Sequence, residues 1–314
     1  MADKAGVIRK AFLLGAGLGT RLRPLTDVLP KPLVPLFHRP LVEWAMMACA
    51  EAGVEEFAIN THHFPERWRM ADGGWLMADG RGRCCCSGWN GLMAESVVWE
   101  DRPVSLFHEP VLLETGGGIK NIEAWVGSDD VLVHNGDIYS SLPLEKLMQA
   151  HEGSGNVVTL ALRSEGVAKH IAVEDGRVFD IRNMLGRAEG KYVFSGIYIF
   201  SPELLEKIPV DEKVSVIPAF LELAKEERLG GVVLDEGVWF DLGDAESYLT
   251  AHRELGLGDA IHSEAVISPD SVVESSVIGA GAVIGAGAVV RDSVVWPGAV
   301  VKEGAVVEGM IVCG

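Results

Sequence analysis

Short apolar runs alternate with longer stretches of helical pattern from residue 8 to about residue 255. The segments "RKAFLLG", "EEFAIN", "DDVLVHNGD", "NVVTLALR", "KYVFSGIYIF" and "GGVVLD" read as strands. The stretches "RPLVEWAMMACAEAG", "GGGIKNIEAWVG", "LEKLMQAHEG" and "VSVIPAFLELAKEE" between them read as helices. Strands that alternate with helices predict an α/β fold, a Rossmann-like, mostly parallel sheet covered on both faces. In such sheets ligands bind beyond the carboxyl ends of the strands.

Two regions depart from that pattern. Residues 72–103, with three tryptophans and no clean period, predict a surface insertion in the form of a β-hairpin or flap. From residue 261 the aliphatics Ile261, Ile267, Val273, Ile278, Ile284, Val290, Val295, Val301 and Val307 recur in steps of 6, 6, 5, 6, 6, 5, 6 and 6. One cycle is therefore 17 residues, with glycine-rich corners between the aliphatics. Hexads of this kind predict a short parallel β-helix of about three triangular coils, each burying the face of its neighbour. The expected division is a first domain over residues 1–255, carrying the insertion, and a β-helix over 256–314.

Composition narrows the classes. The chain has 314 residues, 48% of them hydrophobic, and holds no apolar run of the ~18–20 residues a membrane span requires. The start "MADKAGVIRK" lacks a secretory apolar core, so a cytoplasmic location is expected. A net charge of −18 excludes nucleic acid as the main partner, because phosphate backbones select basic surfaces. It leaves room for a small anion in a locally basic pocket. Cys49, Cys84, Cys85, Cys86 and Cys313 have neither disulfide-framework nor zinc-ligand spacing and are expected to be reduced.

The chemistry starts at "GAGLGTRLRPLTDVLPKPLVPL", directly after the first strand. Gly15, Gly17 and Gly19 give GxGxG followed by Thr20, without the third glycine of a dinucleotide turn. Pro24, Pro30, Pro32 and Pro35 delay any helix until about residue 39. A long, proline-stiffened loop with Arg21 and Lys31 suits a triphosphate. Glycines let backbone N–H groups approach phosphate oxygens, and the cations offset charge on a leaving pyrophosphate. Arg23 is as readily a solvated surface cation.

This loop resembles the signature of the sugar-phosphate nucleotidylyltransferases, or NDP-sugar pyrophosphorylases. "LLETGGGIKN" (112–121), "VHNGDIY" (133–139), "VFSGIYIFSPE" (193–203) and "VWFDLGDAESY" (238–248) resemble that family's later stations, in order. The hexad tail resembles the left-handed β-helix that many members carry. The "LETGGGI" and "FSGI" phrases are most similar to uridylyltransferases acting on N-acetylmuramate 1-phosphate, and the tail to mannose-1-phosphate guanylyltransferases.

The resemblance implies an enzyme that joins a nucleoside triphosphate to a sugar 1-phosphate and releases pyrophosphate. It implies Mg²⁺ on Asp137 and Asp241, and phosphate contacts from Arg21 and Lys31, with Asp137 also catalytic. The nucleotide would meet Leu14, Gly15, Ala16, Gly17, Gly19 and Thr20, facing Glu114, Gly116 and Gly117. Glu109 stands where the family reads the base edge. A carboxylate there accepts two donors from guanine, which leans the reading toward GTP over UTP. The sugar phosphate would lie near Ser195 and Gly196. The family's Glu-Lys-Pro run is missing before that strand, and Arg182 is the substitute, ahead of Arg187 and Lys191. Asp244 is expected to cap the last helix, without a capping box to Ser247. A homo-oligomer is also expected, and the tail is expected either to mediate subunit packing or to cap the catalytic domain. The alternatives are a non-catalytic NDP-sugar-binding regulatory subunit and, more remotely, acyl transfer on the coil, where only His262 is available.

Overall fold

The computed structural model describes residues 8–68, 70–71, 74–75, 95–210 and 212–314. The first apolar run forms β1 (Lys10–Leu14). Helix α1 (Leu41–Glu51) follows the proline-stiffened loop, and β2 (Glu56–Thr61) comes next. A hairpin, β3 (Glu95–Trp99) and β4 (Arg102–His108), leads to α2 (Glu114–Asn121) and α3 (Glu123–Val126). Then come β5 (Val131–Asn135), β6 (Ile138–Ser140), α4 (Leu144–His151) and β7 (Val158–Arg163). A second hairpin, β8 (Lys169–Glu174) and β9 (Arg177–Ile181), precedes β10 (Tyr192–Phe200), α5 (Ile217–Lys225) and β11 (Leu229–Val233). The short β12 (Trp239–Asp241) and α6 (Ala245–Glu254) complete this part.

Ten of these strands form one sheet in the order β7-β11-β9-β8-β10-β5-β1-β2-β4-β3. The central run β5-β1-β2-β4 is parallel, as the strand–helix alternation predicts. Antiparallel β10 and β3 flank it, so the whole sheet is mixed. Apolar side chains on one face pack under α2, α3 and α5, and those on the other under α1 and α4. The central strand β1 is therefore apolar on both faces rather than alternating: Ala11, Phe12 and Leu13 are all fully buried.

The expected 72–103 insertion needs a new boundary. Residues 95–103 form the edge strand β3 and the start of β4, and Trp99 is fully buried edge-on to Phe57. One buried aromatic on the inward side of an edge strand is too sparse a pattern to read as a period. Residues 76–94, which carry most of the flap reading and the three adjacent cysteines, lie outside the described residues. The β8–β9 hairpin also escaped the pattern, although Asp175-Gly176, both at positive φ, supplies its tight turn.

Beyond α6 the chain winds into three parallel sheets of three strands each. Val266 pairs with Val283 and Val283 with Val300, which reproduces the 17-residue cycle. Ile278, Ile284, Val290, Val295 and Val301 point inward and are buried. Towards the ends of the coil Ile267, Val273 and Val307 are half-buried, and Ile261 is 44% exposed because no earlier coil lies beneath it. Helix α6 and the loop of residues 22–41 share one apolar cluster with the coil. There Trp296 Nε1 donates to Tyr248 Oη at 3.0 Å, and Tyr248 Oη donates to the Pro35 carbonyl.

Candidate active site

The site is built at the carboxyl edge of the parallel strands. Leu14 stands in register with Asn60 on one side and Asn135 on the other, so the turns after β1, β2 and β5 meet. Gly15 donates its N–H to Asn60 Oδ1 at 2.7 Å, and the Leu14 carbonyl accepts from the Gly136 N–H at 3.0 Å. Gly15 is glycine for space: a Cβ would lie 2.7 Å from the Asn60 carbonyl oxygen and 2.9 Å from the Trp68 ring. With its bond to Asn60, the Gly15 N–H is engaged within the fold and is not a free donor. Ala16 is buried too. The loop then turns at Gly19, whose φ of +60° favours glycine and whose carbonyl accepts from Thr26 Oγ1 at 2.9 Å.

Charge converges at the mouth of this loop. Lys31 is only 5% exposed, yet it carries an ammonium group. Its Nζ lies 2.8 Å from Asp137 Oδ2 and 3.8 Å from Asp241 Oδ1, so the buried cation is compensated twice. Asp137 follows Gly136 between β5 and β6, and Asp241 ends β12. The antiparallel ribbon β6–β12 pairs Ile138 with Asp241, which brings two distant carboxylates together. An open cleft of about 190 Å³ is lined by Leu14, Gly17, Gly19, Thr20, Arg21, Lys31, Pro32, Asp137 and Gly243. A Cβ on Gly243 would lie 2.8 Å from an Arg21 guanidinium nitrogen, so this glycine lets Arg21 lie flat against the turn after β12. Arg23 is exposed and paired with Asp27 at 3.2 Å, away from the cleft.

The donor set suits a hard divalent cation. Two partly exposed carboxylates that already share one cation leave open positions for water and phosphate oxygens, the coordination Mg²⁺ prefers. No group of three or more His, Cys, Asp or Glu side chains suited to a metal occurs among the described residues.

The opposite wall differs from expectation. Glu109 is 1% exposed and faces inward: Oε1 accepts from Asn60 Nδ2 at 2.7 Å and Oε2 from the Leu113 N–H at 2.9 Å. Burial raises its pKa above the ordinary carboxylate value, against the opposing pull of those donors. Buried, with each oxygen already accepting a hydrogen bond, it exposes no acceptor to the cleft, so the lean toward guanine rests on no exposed group. The second glycine-rich stretch is the start of α2, not an open turn. Gly116 and Gly117 donate to the Val214 carbonyl at 2.8 and 3.1 Å, so their N–H groups are occupied. Glu114, at φ +62°, is exposed, 3.7 Å from Lys213.

The expected sugar-phosphate residues also separate. Ser195 is buried, donating to the Ala161 carbonyl at 2.8 Å, which takes its hydroxyl out of reach of a ligand. Gly196 packs on the Asn135 side chain, where a Cβ would sit 2.6 Å from Nδ2, and so seats β10 against the end of β5. Arg182 is exposed at the end of β9, and its N–H donates to the His170 carbonyl at 2.7 Å. No contact brings it to the cleft among the described residues. The pattern missed Asn60 and Gly243. Asn60 is the next-to-last residue of β2, and an amide after the apolar run Phe57–Ile59 is the one signal that pointed to it.

A mixed α/β sheet with a glycine loop, two carboxylates and a buried lysine at its carboxyl edge defines a nucleotide-binding α/β enzyme. The nucleotidyl transferase family model matches residues 10–256, and the chain belongs to that family. It is similar to the mannose-1-phosphate guanylyltransferase of Mycobacterium tuberculosis, at 29% identity over 86% of this chain and 75% of that protein. The N-acetylmuramate alpha-1-phosphate uridylyltransferase of Caulobacter vibrioides is 30% identical over 78% of this chain and 96% of its own length. In fold the chain resembles a solved UDP-glucose pyrophosphorylase from Acinetobacter baumannii, with a TM-score of 0.60 at 18% identity. That match covers 78% of this chain and 92% of the other. The described residues contain no helix long and apolar enough to cross a membrane.

Proposed function

We infer that the chain transfers a nucleotidyl group from a nucleoside triphosphate to a sugar 1-phosphate with the help of Mg²⁺. The observation that carries this reading is the buried Lys31 ammonium held against both Asp137 and Asp241 at the mouth of the glycine loop. A phosphate oxygen of the sugar would attack the α-phosphorus of the nucleotide. The new O–P bond forms as the bond to the bridging α–β oxygen breaks, and the electron pair leaves on pyrophosphate. No proton needs to be removed from a phosphate dianion, so the protein's part is to position two polyanions and to offset their charge. Arg21 and Lys31 would face the β- and γ-phosphates, the guanidinium offering two parallel donors. Asp137 and Asp241 would hold Mg²⁺, which when bound neutralises charge on the phosphate oxygens.

Neither GTP nor UTP is favoured by a residue, since Glu109 faces inward. The test is pyrophosphate release with a panel of nucleoside triphosphates, including GTP and UTP, against hexose and N-acetylated sugar 1-phosphates. Turnover that requires Mg²⁺ with at least one pair is expected. Tight binding of an NDP-sugar without turnover of any pair would instead favour the regulatory-subunit reading.

A further inference from the structure

We propose that Asn60 and Glu109 form a buried strut that sets the width of the nucleotide slot, and that Glu109 acts by positioning and not by touching the base. The inference rests on the nucleotidyl-transfer reading above. Its observations are geometric. Asn60 is 2% exposed and Glu109 1%, although neither carries an apolar side chain. Buried polar groups of this kind are costly unless every donor and acceptor is matched, and here the matching runs in one line. The Gly15 N–H donates to Asn60 Oδ1, Asn60 Nδ2 donates to Glu109 Oε1, and the Leu113 N–H donates to Glu109 Oε2. The line starts at the first residue of the glycine loop and ends one residue before α2. It joins the two walls between which a nucleotide would lie. A Cβ on Gly118 would come within 2.8 Å of Asn60 Nδ2 and 2.9 Å of Glu109 Oε1, so α2 presses directly on the strut.

Directionality supplies the test. Asn60→Asp sets two buried carboxylates against each other, and Glu109→Gln turns an amide donor toward either Leu113 or Asn60. The double variant Asn60→Asp/Glu109→Gln reverses the middle bond and keeps all three. Gly15 donates to Asp, the Gln amide donates to the second Asp oxygen, and Leu113 donates to the Gln carbonyl. Calorimetric titration with GTP and with UTP, in the presence of Mg²⁺, reads the effect. Each single variant is expected to weaken binding of the accepted nucleotide at least ~10-fold, and the double variant to return within ~3-fold of the unaltered chain.

A carboxylate that reads the base directly gives the opposite result: the double variant stays as weak as Glu109→Gln, and the strut is refuted. Thermal melting accompanies each titration. If the single variants do not fold, the double variant alone decides by the same ~3-fold criterion against ~10-fold or worse. Failure of the unaltered chain to bind any nucleoside triphosphate of the panel above would refute the nucleotidyl-transfer reading itself, and the strut's role with it.

Discussion

The cleft and the coil are both rich in glycine, and for opposite reasons. In the coil a Cβ on Gly279 would lie 2.6 Å from the Pro297 nitrogen, and one on Gly285 2.6 Å from the Glu303 nitrogen. These two are pressed by the backbone of the next coil, whereas Gly281, Gly287, Gly298, Gly304 and Gly309 meet nothing within 4 Å and turn the chain at positive φ. In the cleft, Gly243 is pressed by the end of one side chain, Arg21, and Gly17 meets nothing within 4 Å because it faces the open slot. A glycine demanded by a repeat is a packing requirement. A glycine demanded by one guanidinium at the lip of the cleft, as Gly243 is, is tied to the site instead. Substitutions in the two regions should therefore separate stability from turnover.

The largest effect belongs to the coil. Ile284 is 1% exposed within an apolar stack, and Ile284→Asp would bury a charge with no partner. A loss of more than ~4 kcal/mol is expected, read as an early transition of the coil in urea unfolding. Next come the two carboxylates. Asp137→Asn and Asp241→Asn should each slow turnover ~100-fold, about 2.7 kcal/mol on the barrier. They should differ in stability. Asp241→Asn leaves Lys31 its partner at 2.8 Å, whereas Asp137→Asn takes that partner from a buried ammonium. The second alone should cost roughly 1–3 kcal/mol in chemical denaturation. Near-normal Mg²⁺-dependent turnover in either variant would remove that residue from the metal site.

A paired glycine test sharpens the contrast further. Gly285→Ala drives a methyl into backbone that cannot yield, and about 1–3 kcal/mol of stability should be lost with turnover kept per folded molecule. Gly243→Ala meets a flexible side chain end, so the melting temperature should hold while displacement of Arg21 slows turnover ~10-fold. Equal effects of both on stability would erase the distinction.

The same contrast explains what could be read from the chain alone. The period of the coil was legible, because each position's strand partner lies 17 residues away in the same sequence. The parallel run of the sheet was legible from strand–helix alternation, and the motifs named Lys31, Asp137 and Asp241, whose side chains the fold brings together. The inward turn of Glu109 was not legible. It depends on Asn60, 49 residues earlier, and on the Leu113 amide. Nor was the closure of the Gly116 and Gly117 amides by Val214, a contact spanning about a hundred residues. A motif shows which residue types a site needs. It does not show which of their polar groups the fold has already used.

Helix α6 belongs to both regions, since it follows Gly243 at one end and buries Tyr248 against Trp296 of the coil. Its start was expected to lack a capping box, yet one is present. Asp244 Oδ1 accepts from the Ser247 N–H at 2.9 Å, and Ser247 Oγ accepts in return from the Asp244 N–H at 3.1 Å. A serine hydroxyl is short, but it reaches because Asp244 is fully extended, at ψ 175°. Asp244→Ala should cost about 1 kcal/mol. The effect also has a pH signature. The Ser247 amide, then the Ser247 hydroxyl, with Arg21 as a smaller cause, hold the Asp244 pKa below its ordinary 3.8. A depressed carboxylate contributes its stability above the unfolded pKa and loses it as pH falls through the folded one. The difference between the unaltered chain and Asp244→Asn should therefore be constant above about pH 5 and shrink below about pH 4. Asparagine keeps the cap acceptor without a proton to gain. A stability difference that stays constant through the acid limb would show that Asp244 holds α6 by geometry alone and that its charge contributes nothing.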